Sequence, residues 1–362
     1  MGAPELTPSA GPDGAADRPP RVVAFGGGHG LAAALAAWRR ITPDLTAVVT
    51  VADDGGSSGR IRREMPVLPP GDLRMALTAL AGDREDARQL AALLQHRLGG
   101  SGVLAGHSVG NLVLTGLTEM HGGDTVRALD DVCRLLGACG RVLPMADVPL
   151  DLVAQVESAD PDDPVRSRTI RGQSAIAATP GRVRHIIVSP SDPPVDPAVL
   201  DAIAAADVVS LGPGSWYTSV LPHLLVPRLR AALAASSARV VVVLNLEPQP
   251  GETDGFSPEE HLAVLQSHLR GVALHTVIAN EESVVDRCGL LSAVRECGAE
   301  LVLARVAEDG GVPRHDPARL AGALREALGT RQGMEIHERV PQPLVPGPVR
   351  EGDEGNAAHG AW

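Results

Sequence analysis

Two stretches in the first 65 residues carry the glycines and polar side chains from which an anion site could be built. VVAFGGGHGL (22–31) and VVTVADDGGSSGRIRREM (48–65) each run from an apolar segment into a glycine-rich turn. In the first, Gly26, Gly27, Gly28, His29, Gly30 and Leu31 stand where a strand hands over to a helix, and the free N–H groups of a helix start attract phosphates. In the second, Asp53 and Asp54 precede Ser57, Ser58 and Arg60. Asp53 falls about where a dinucleotide fold keeps the acid that binds a ribose. Three readings fit: a nicotinamide cofactor pocket, a phosphate cradle for another nucleotide, or two tight turns. The first stretch is not a complete GxGxxG, because its third glycine position falls on Leu31.

The chain contains no lysine, so all 32 basic residues are arginines. That excludes a Walker-type phosphate loop and pyridoxal chemistry, both of which need a lysine amine. Phosphate must be met by backbone N–H groups, hydroxyls or guanidinium forks. More polar loops follow. LPPGDLRMAL (68–77) sets Asp72, an expected helix N-cap, beside Arg74. AGHSVGNLVL (105–114) offers His107, Ser108 and Asn111 at another helix start. Gly212, Gly214, Ser215 and Tyr217 follow the run VVSL, and Asn245, Gln249 and Thr253 lie in the long loop LNLEPQPGETDGF. Each loop alone reads equally as a cap or turn. Their recurrence at strand ends describes one large polar crevice.

The elements that must position these loops alternate from about residue 21 to 330. Val22–Phe25, Ala47–Val51, Ile186–Ser189, Val208–Leu211, Val240–Leu244 and Leu274–Ala279 are short, β-branched and continuously apolar. Such runs suit the centre of a parallel sheet covered on both faces. Helical patterns lie between several of them, as in LAAALAAWRRI from Leu31 and PEEHLAVLQSHLRG from Pro258. The alternation predicts an α/β, doubly wound, mostly parallel sheet with ligands beyond the carboxyl ends of its strands. Residues 72–140 read as a helical insertion or cap.

Composition bounds the rest. A chain of 362 residues that is 44% hydrophobic can bury a sizeable core in one domain or two. With three Trp, two Phe and one Tyr, that core must be filled by Ala, Val and Leu. A net charge of −12 argues against a nucleic-acid partner. No apolar run reaches the ~20 residues of a membrane helix. Residues 1–20 and 331–362, rich in Pro and Gly, read as disordered tails. Cys133, Cys139, Cys288 and Cys297 form no CxxC or zinc spacing and are expected to be buried, reduced thiols of a cytoplasmic protein.

The motifs AFGGGHGL, VTVADDGGSSGRIR, PPGDLR, GHSVGNL, GPGSWYTSVLP, NLEPQPGETDGF and RHDPARLAGAL occur in that order. Together they resemble the YvcK family, also called the putative gluconeogenesis factors, within the CofD-like superfamily, over residues 21 to about 328. The resemblance implies one Rossmann-like domain over 21–330 in a cytoplasmic bacterial protein that binds UDP-sugars, above all UDP-N-acetylglucosamine. It implies a regulatory role in growth on gluconeogenic carbon, cell shape and cell-wall synthesis, exercised through a protein partner, with a homo-oligomer possible and no cofactor required. The superfamily's enzymes imply the alternative, phospholactyl transfer to a deazaflavin precursor. In that branch an acidic pair like Asp53–Asp54 suits a divalent metal or an acceptor hydroxyl.

On this resemblance Gly26 to Leu31 approach the ribose or phosphates, while Gly212 to Ser215 and Asn245 to Thr253 supply later contacts. Arg314, in VPRHDPARL, matches an Arg tied to UDP-sugar binding. A guanidinium fork suits a diphosphate, and the segment reads as a glycine turn ahead of a late helix. The plain alternative pairs Arg314 with Asp316 on the surface. The resemblance also implies, for some relatives, a hydroxyl residue three places beyond that Arg that is open to phosphorylation. Pro317 stands there in this chain. A nicotinamide dehydrogenase remains the least supported reading, since no Ser/Tyr/Lys catalytic set exists without lysine.

Overall fold

The computed structural model describes residues 18–158, 167–179 and 181–329. Except for residues 18–20, the expected tails 1–20 and 331–362 lie outside the described residues. Ten strands are described: β1 Val22–Gly26, β2 Leu45–Val49, β3 Arg141–Pro144, β4 Asp151–Ser158, β5 Ser167–Arg171, β6 Gly181–Ser189, β7 Val208–Leu211, β8 Arg239–Val243, β9 Thr276–Asn280 and β10 Glu300–Ala304.

Seven of them form one sheet in the order β10-β9-β8-β7-β1-β2-β3, with every pairing parallel. Strands β1, β7 and β9 are buried at every position, as their unbroken apolar runs require under helices on both faces. The chain builds outward from β1 through β2 to β3, then returns to lay β7 on the other side of β1. Strand order therefore reverses between β1 and β7, and this is where open α/β sheets bind ligands.

Five helices, Gly56–Glu64, Pro70–Ala79, Glu85–Gln95, Val109–Met120 and Thr125–Leu135, fill the connection from β2 to β3. The helix Gly28–Trp38 buries Leu31, Leu35 and Trp38 and packs between Pro70–Ala79 and the last helix, Pro317–Gly329. Trp38, Trp216 and Phe25 are the bulkiest aromatic residues fully buried, and aliphatic side chains fill the remainder.

Two expectations are corrected. Ile186–Ser189 is not in the parallel sheet: it ends β6, an edge of a separate antiparallel sheet ordered β5-β4-β6. In GRVRHIIVS only Val183, Ile186 and Val188 are buried, the alternation of a sheet with one wet face interrupted by a register shift opposite Gln155 and Val156. The cysteines are free, but none is buried: Cys288 is exposed and the others are intermediate. Cys133 and Cys288 sit on the outer turns of helices and Cys297 just past one, where one flank meets solvent.

Candidate functional site

Beyond the carboxyl ends of β1, β7 and β8 opens a cleft of about 1030 Å³. Its near wall is the start of the helix Gly28–Trp38, with His29 and Gly30 in the lining. Gly27 has no side chain to cap that helix, and apart from the Gly28 N–H, which the Asp72 carboxylate takes, its first N–H groups keep their capacity for an anion. A Cβ on Gly30 would stand 2.3 Å from the Pro213 carbonyl oxygen and 2.5 Å from Gly214 Cα. The turns after β1 and β7 thus touch backbone to backbone. Asn245, just past β8, fixes the second turn with both ends of its amide. Its Oδ1 accepts the Gly214 N–H at 2.9 Å, and its Nδ2 donates to the Gly214 carbonyl at 2.9 Å.

An acidic corner stands behind the first turn. Asp72 is not the N-cap expected of it. Proline at position 70 starts the helix at that residue, leaving Asp72 third in the first turn. Its carboxylate accepts from the Gly28 backbone and lies so close that a Cβ on Gly27 would be 2.5 Å from Oδ2. Burial and the neighbouring Asp53 carboxylate push Asp72 up to about 7, against the Gly28 hydrogen bond and the charge of Arg74. Asp53 accepts the Gly55 N–H at 2.9 Å, and Ser58 Oγ accepts that of Gly71 at 3.0 Å.

Asp54 parts from Asp53. Its Oδ1 accepts the Ser174 N–H at 2.9 Å, at the start of the short helix Gln173–Ala178. Among the described residues no three His, Cys, Asp or Glu side chains are grouped to hold a metal ion. Asp54 is engaged by the Ser174 N–H and Asp72 by that of Gly28.

The glycine-rich turn after β2 is tied to the helix Val109–Met120 by a buried polar cluster. Ser57 Oγ lies 2.9 Å from His107 Nδ1 and accepts from Asn111 Nδ2 at 2.9 Å. Burial, and then Arg60, hold His107 below the ordinary histidine range, so a neutral ring can accept the Ser57 proton. Ser108 Oγ and Asn111 Oδ1 are buried without partners among the described residues. Arg60 donates to the Ala105 carbonyl at 2.8 Å and so clamps that loop.

The remaining sequence candidates divide. Arg74, Gly214, Asn245, Gln249 and Arg314 line the cleft with His29 and Gly30, and Gln249 Oε1 is buried without a partner among the described residues. Leu31 is core, Gly26 ends β1, and Gly212 packs against β8 and Trp216. Ser215 and Thr253 are structural. Ser215 bonds Glu252 and Thr218, and Thr253 Oγ1 accepts the Gln249 N–H at 2.8 Å. Arg314 is 68% exposed, with Nε 3.2 Å from Glu308 Oε2. Asp316 is not its partner, because that carboxylate accepts the Ala318 and Arg319 N–H groups at the start of the last helix.

Sequence reasoning missed Arg97, His315 and Glu252. His315 lines the cleft with Nε2 unpartnered among the described residues, and burial pushes it down to about 4 despite a bond to the Leu244 backbone. It is a neutral ring with a free nitrogen, unlike core His223, whose nitrogens face the Val220 and Val48 carbonyls. Its only signal was adjacency to Arg314. Glu252, 4% exposed, accepts from Tyr217 N and Thr218 Oγ1 and fixes the turn after β7.

Residues 22–301 match the family described as 2-phospho-L-lactate transferase CofD. The chain is 56% identical over 306 residues to a protein of Mycobacterium tuberculosis named putative gluconeogenesis factor, covering 84% of this chain and 89% of that one. It is 33% identical over 324 residues to the gluconeogenesis factor of Bacillus subtilis, covering 85% and 98%. A crystal structure of a UPF0052 family member from Bacillus halodurans superposes with a TM-score of 0.75 at 32% identity, covering 85% of this chain and 99% of that one. The seven-stranded parallel sheet, the ordered loops at its switch point and these relatives agree: the chain belongs to the YvcK, or gluconeogenesis-factor, family within the CofD-like superfamily.

Proposed function

We propose that this gluconeogenesis-factor family member is a cytoplasmic regulatory protein that binds a UDP-sugar, UDP-N-acetylglucosamine above all, and relays its level to carbon metabolism, cell shape and wall synthesis through a protein partner. One observation carries the reading. Past Gly28, the start of the helix Gly28–Trp38 presents His29 and Gly30 to a cleft that also receives Arg314, in a chain without lysine. Backbone N–H groups and guanidinium forks are what a nucleotide diphosphate needs. UDP-N-acetylglucosamine should raise the melting temperature, as any ligand selective for the native state does. No shift at millimolar levels, with a shift from GDP or NAD, would discard it.

Arg314 tests the contact itself. Arg314→Ala should weaken UDP-N-acetylglucosamine roughly tenfold or more, because a charge-assisted hydrogen bond contributes about 1.5–3 kcal/mol. The melting temperature of the free protein should hardly move, since an exposed pair such as Arg314–Glu308 contributes only ~0–1 kcal/mol. Equal affinities by calorimetry would remove Arg314 from the site.

The acidic corner supports a second reading, a CofD-type transferase. A carboxylate near 7 beside the first turn could take the proton of an acceptor hydroxyl. Phospholactyl transfer to a deazaflavin acceptor, lost in Asp72→Asn, would establish it.

A further inference from the structure

Asp72 and Arg74 sit two places apart on one helix and leave it in opposite directions. Asp72 reaches the glycine turn at Gly27–Gly28. Arg74 runs the other way, its stem against Gly110, where a Cβ would come within 2.9 Å of Arg74 Cγ and Cδ. Its guanidinium meets the end of the helix Glu85–Gln95 and lines the cleft from that side.

Arg74 is 4% exposed, yet no carboxylate among the described residues is hydrogen-bonded to it. Its NH1 donates to a neutral amide, Gln95 Oε1, at 2.5 Å, and its Nε is buried without a partner among the described residues. The Gln95 amide is held in turn, donating from Nε2 to Thr78 Oγ1 at 2.6 Å. Arg97, also in the cleft lining, adds a second positive charge, and Asp72 and Asp53 offset it only from a distance. A buried cation beside a second cation, with an unfilled donor, is costly unless an anion completes it. Next to the pair the cleft is walled by Ala32, Ala33, Ala36, Ala79, Ala91 and Ala92, small side chains that leave room for a body behind the anionic group.

The geometry points to a second ligand site in the cleft: Arg74 and Arg97, on the helical wall, hold the phosphoryl group of a small phosphomonoester beside the nucleotide sugar held by the loop wall. The site does not depend on which nucleotide the loop wall takes. It gives the protein two inputs in one cleft.

The probes are inorganic phosphate and glycerol 3-phosphate, titrated by calorimetry into the full chain, free and saturated with UDP-N-acetylglucosamine. Both probes should bind, with affinities changed less than about threefold by the nucleotide sugar. Gln95→Glu sets a carboxylate on the Arg74 guanidinium in place of the anion. It should weaken both probes at least tenfold while leaving nucleotide-sugar affinity within about twofold. Arg97→Ala, at an exposed residue, should weaken the probes without unfolding the protein.

Competition between phosphate and UDP-N-acetylglucosamine would overturn the proposal, since Arg74 would then serve the nucleotide's own diphosphate. Absence of probe binding at millimolar concentration, or unchanged probe affinity in Gln95→Glu, would overturn it too. If the nucleotide sugar fails to bind while phosphate binds and is lost in Gln95→Glu, the function proposed above falls and this site stands.

Discussion

Gly30→Ala should abolish measurable nucleotide-sugar binding and lower the melting temperature of the free protein. The new methyl would fall 2.3 Å from the Pro213 carbonyl oxygen, 2.7 Å from its carbon and 2.5 Å from Gly214 Cα. All three are backbone atoms, so no rotamer change relieves the contact. The turn after β7 would have to retreat, but both ends of the Asn245 amide hold Gly214 in place. Overpacking of this kind costs about 1–3 kcal/mol. Binding should suffer more than stability, because the ligand needs both turns at their native spacing. Gly322→Ala is the control. Gly322 lies in the last helix with nothing near its added methyl, so helix propensity alone should stabilise the protein by about 0.5–1 kcal/mol. Wild-type affinity and melting temperature in Gly30→Ala would mean that the two turns do not set the site.

Much of this site was legible because its parts are local. A glycine turn between an apolar run and a helix pattern announces β1 and the helix after it, and the runs at Val208 and Val240 place β7 and β8 in the same sheet. The carboxyl ends of those three strands then define the cleft. What stayed hidden depends on pairings across the chain. Asp53 and Asp54 are identical neighbours in sequence, yet one stays with Gly55 and Asp72 while the other is drawn off by Ser174, 120 residues away. Ser215 and Thr253 have the chemistry of ligand contacts and are spent on Glu252 and the Gln249 backbone. Arg97 gave no signal, because only the packing of helix Glu85–Gln95 against Pro70–Ala79 brings it beside Arg74. β6 misled because its apolar end was read apart from the arginines that precede it.

Asp72 should make both stability and binding depend on pH near neutrality. Its carboxyl is raised from the ordinary 3.8 to about 7, chiefly by burial and next by Asp53. A raised carboxyl favours the protonated, folded form. The stability it contributes is therefore complete below the ordinary carboxylate range and is lost as pH rises through about 7. Asp72→Asn cannot ionise, and its Oδ1 can still accept from Gly28. The variant should gain on the wild type from about pH 4 upward and level off above pH 7, by on the order of 2–4 kcal/mol. Affinity should follow the same proton. An ionised Asp72 beside Gly27–Gly28 repels the diphosphate that the helix start attracts, so wild-type binding should weaken several-fold between pH 6 and pH 8. Asp72→Asn should bind with nearly constant affinity over that range, which separates Asp72 from the histidines. Melting curves and calorimetry on both proteins at pH 5, 6, 7 and 8 give the answer. A wild-type affinity that is flat with pH, or a variant that shares its slope, would place the titrating group elsewhere and leave Asp72 as a structural partner of the first turn.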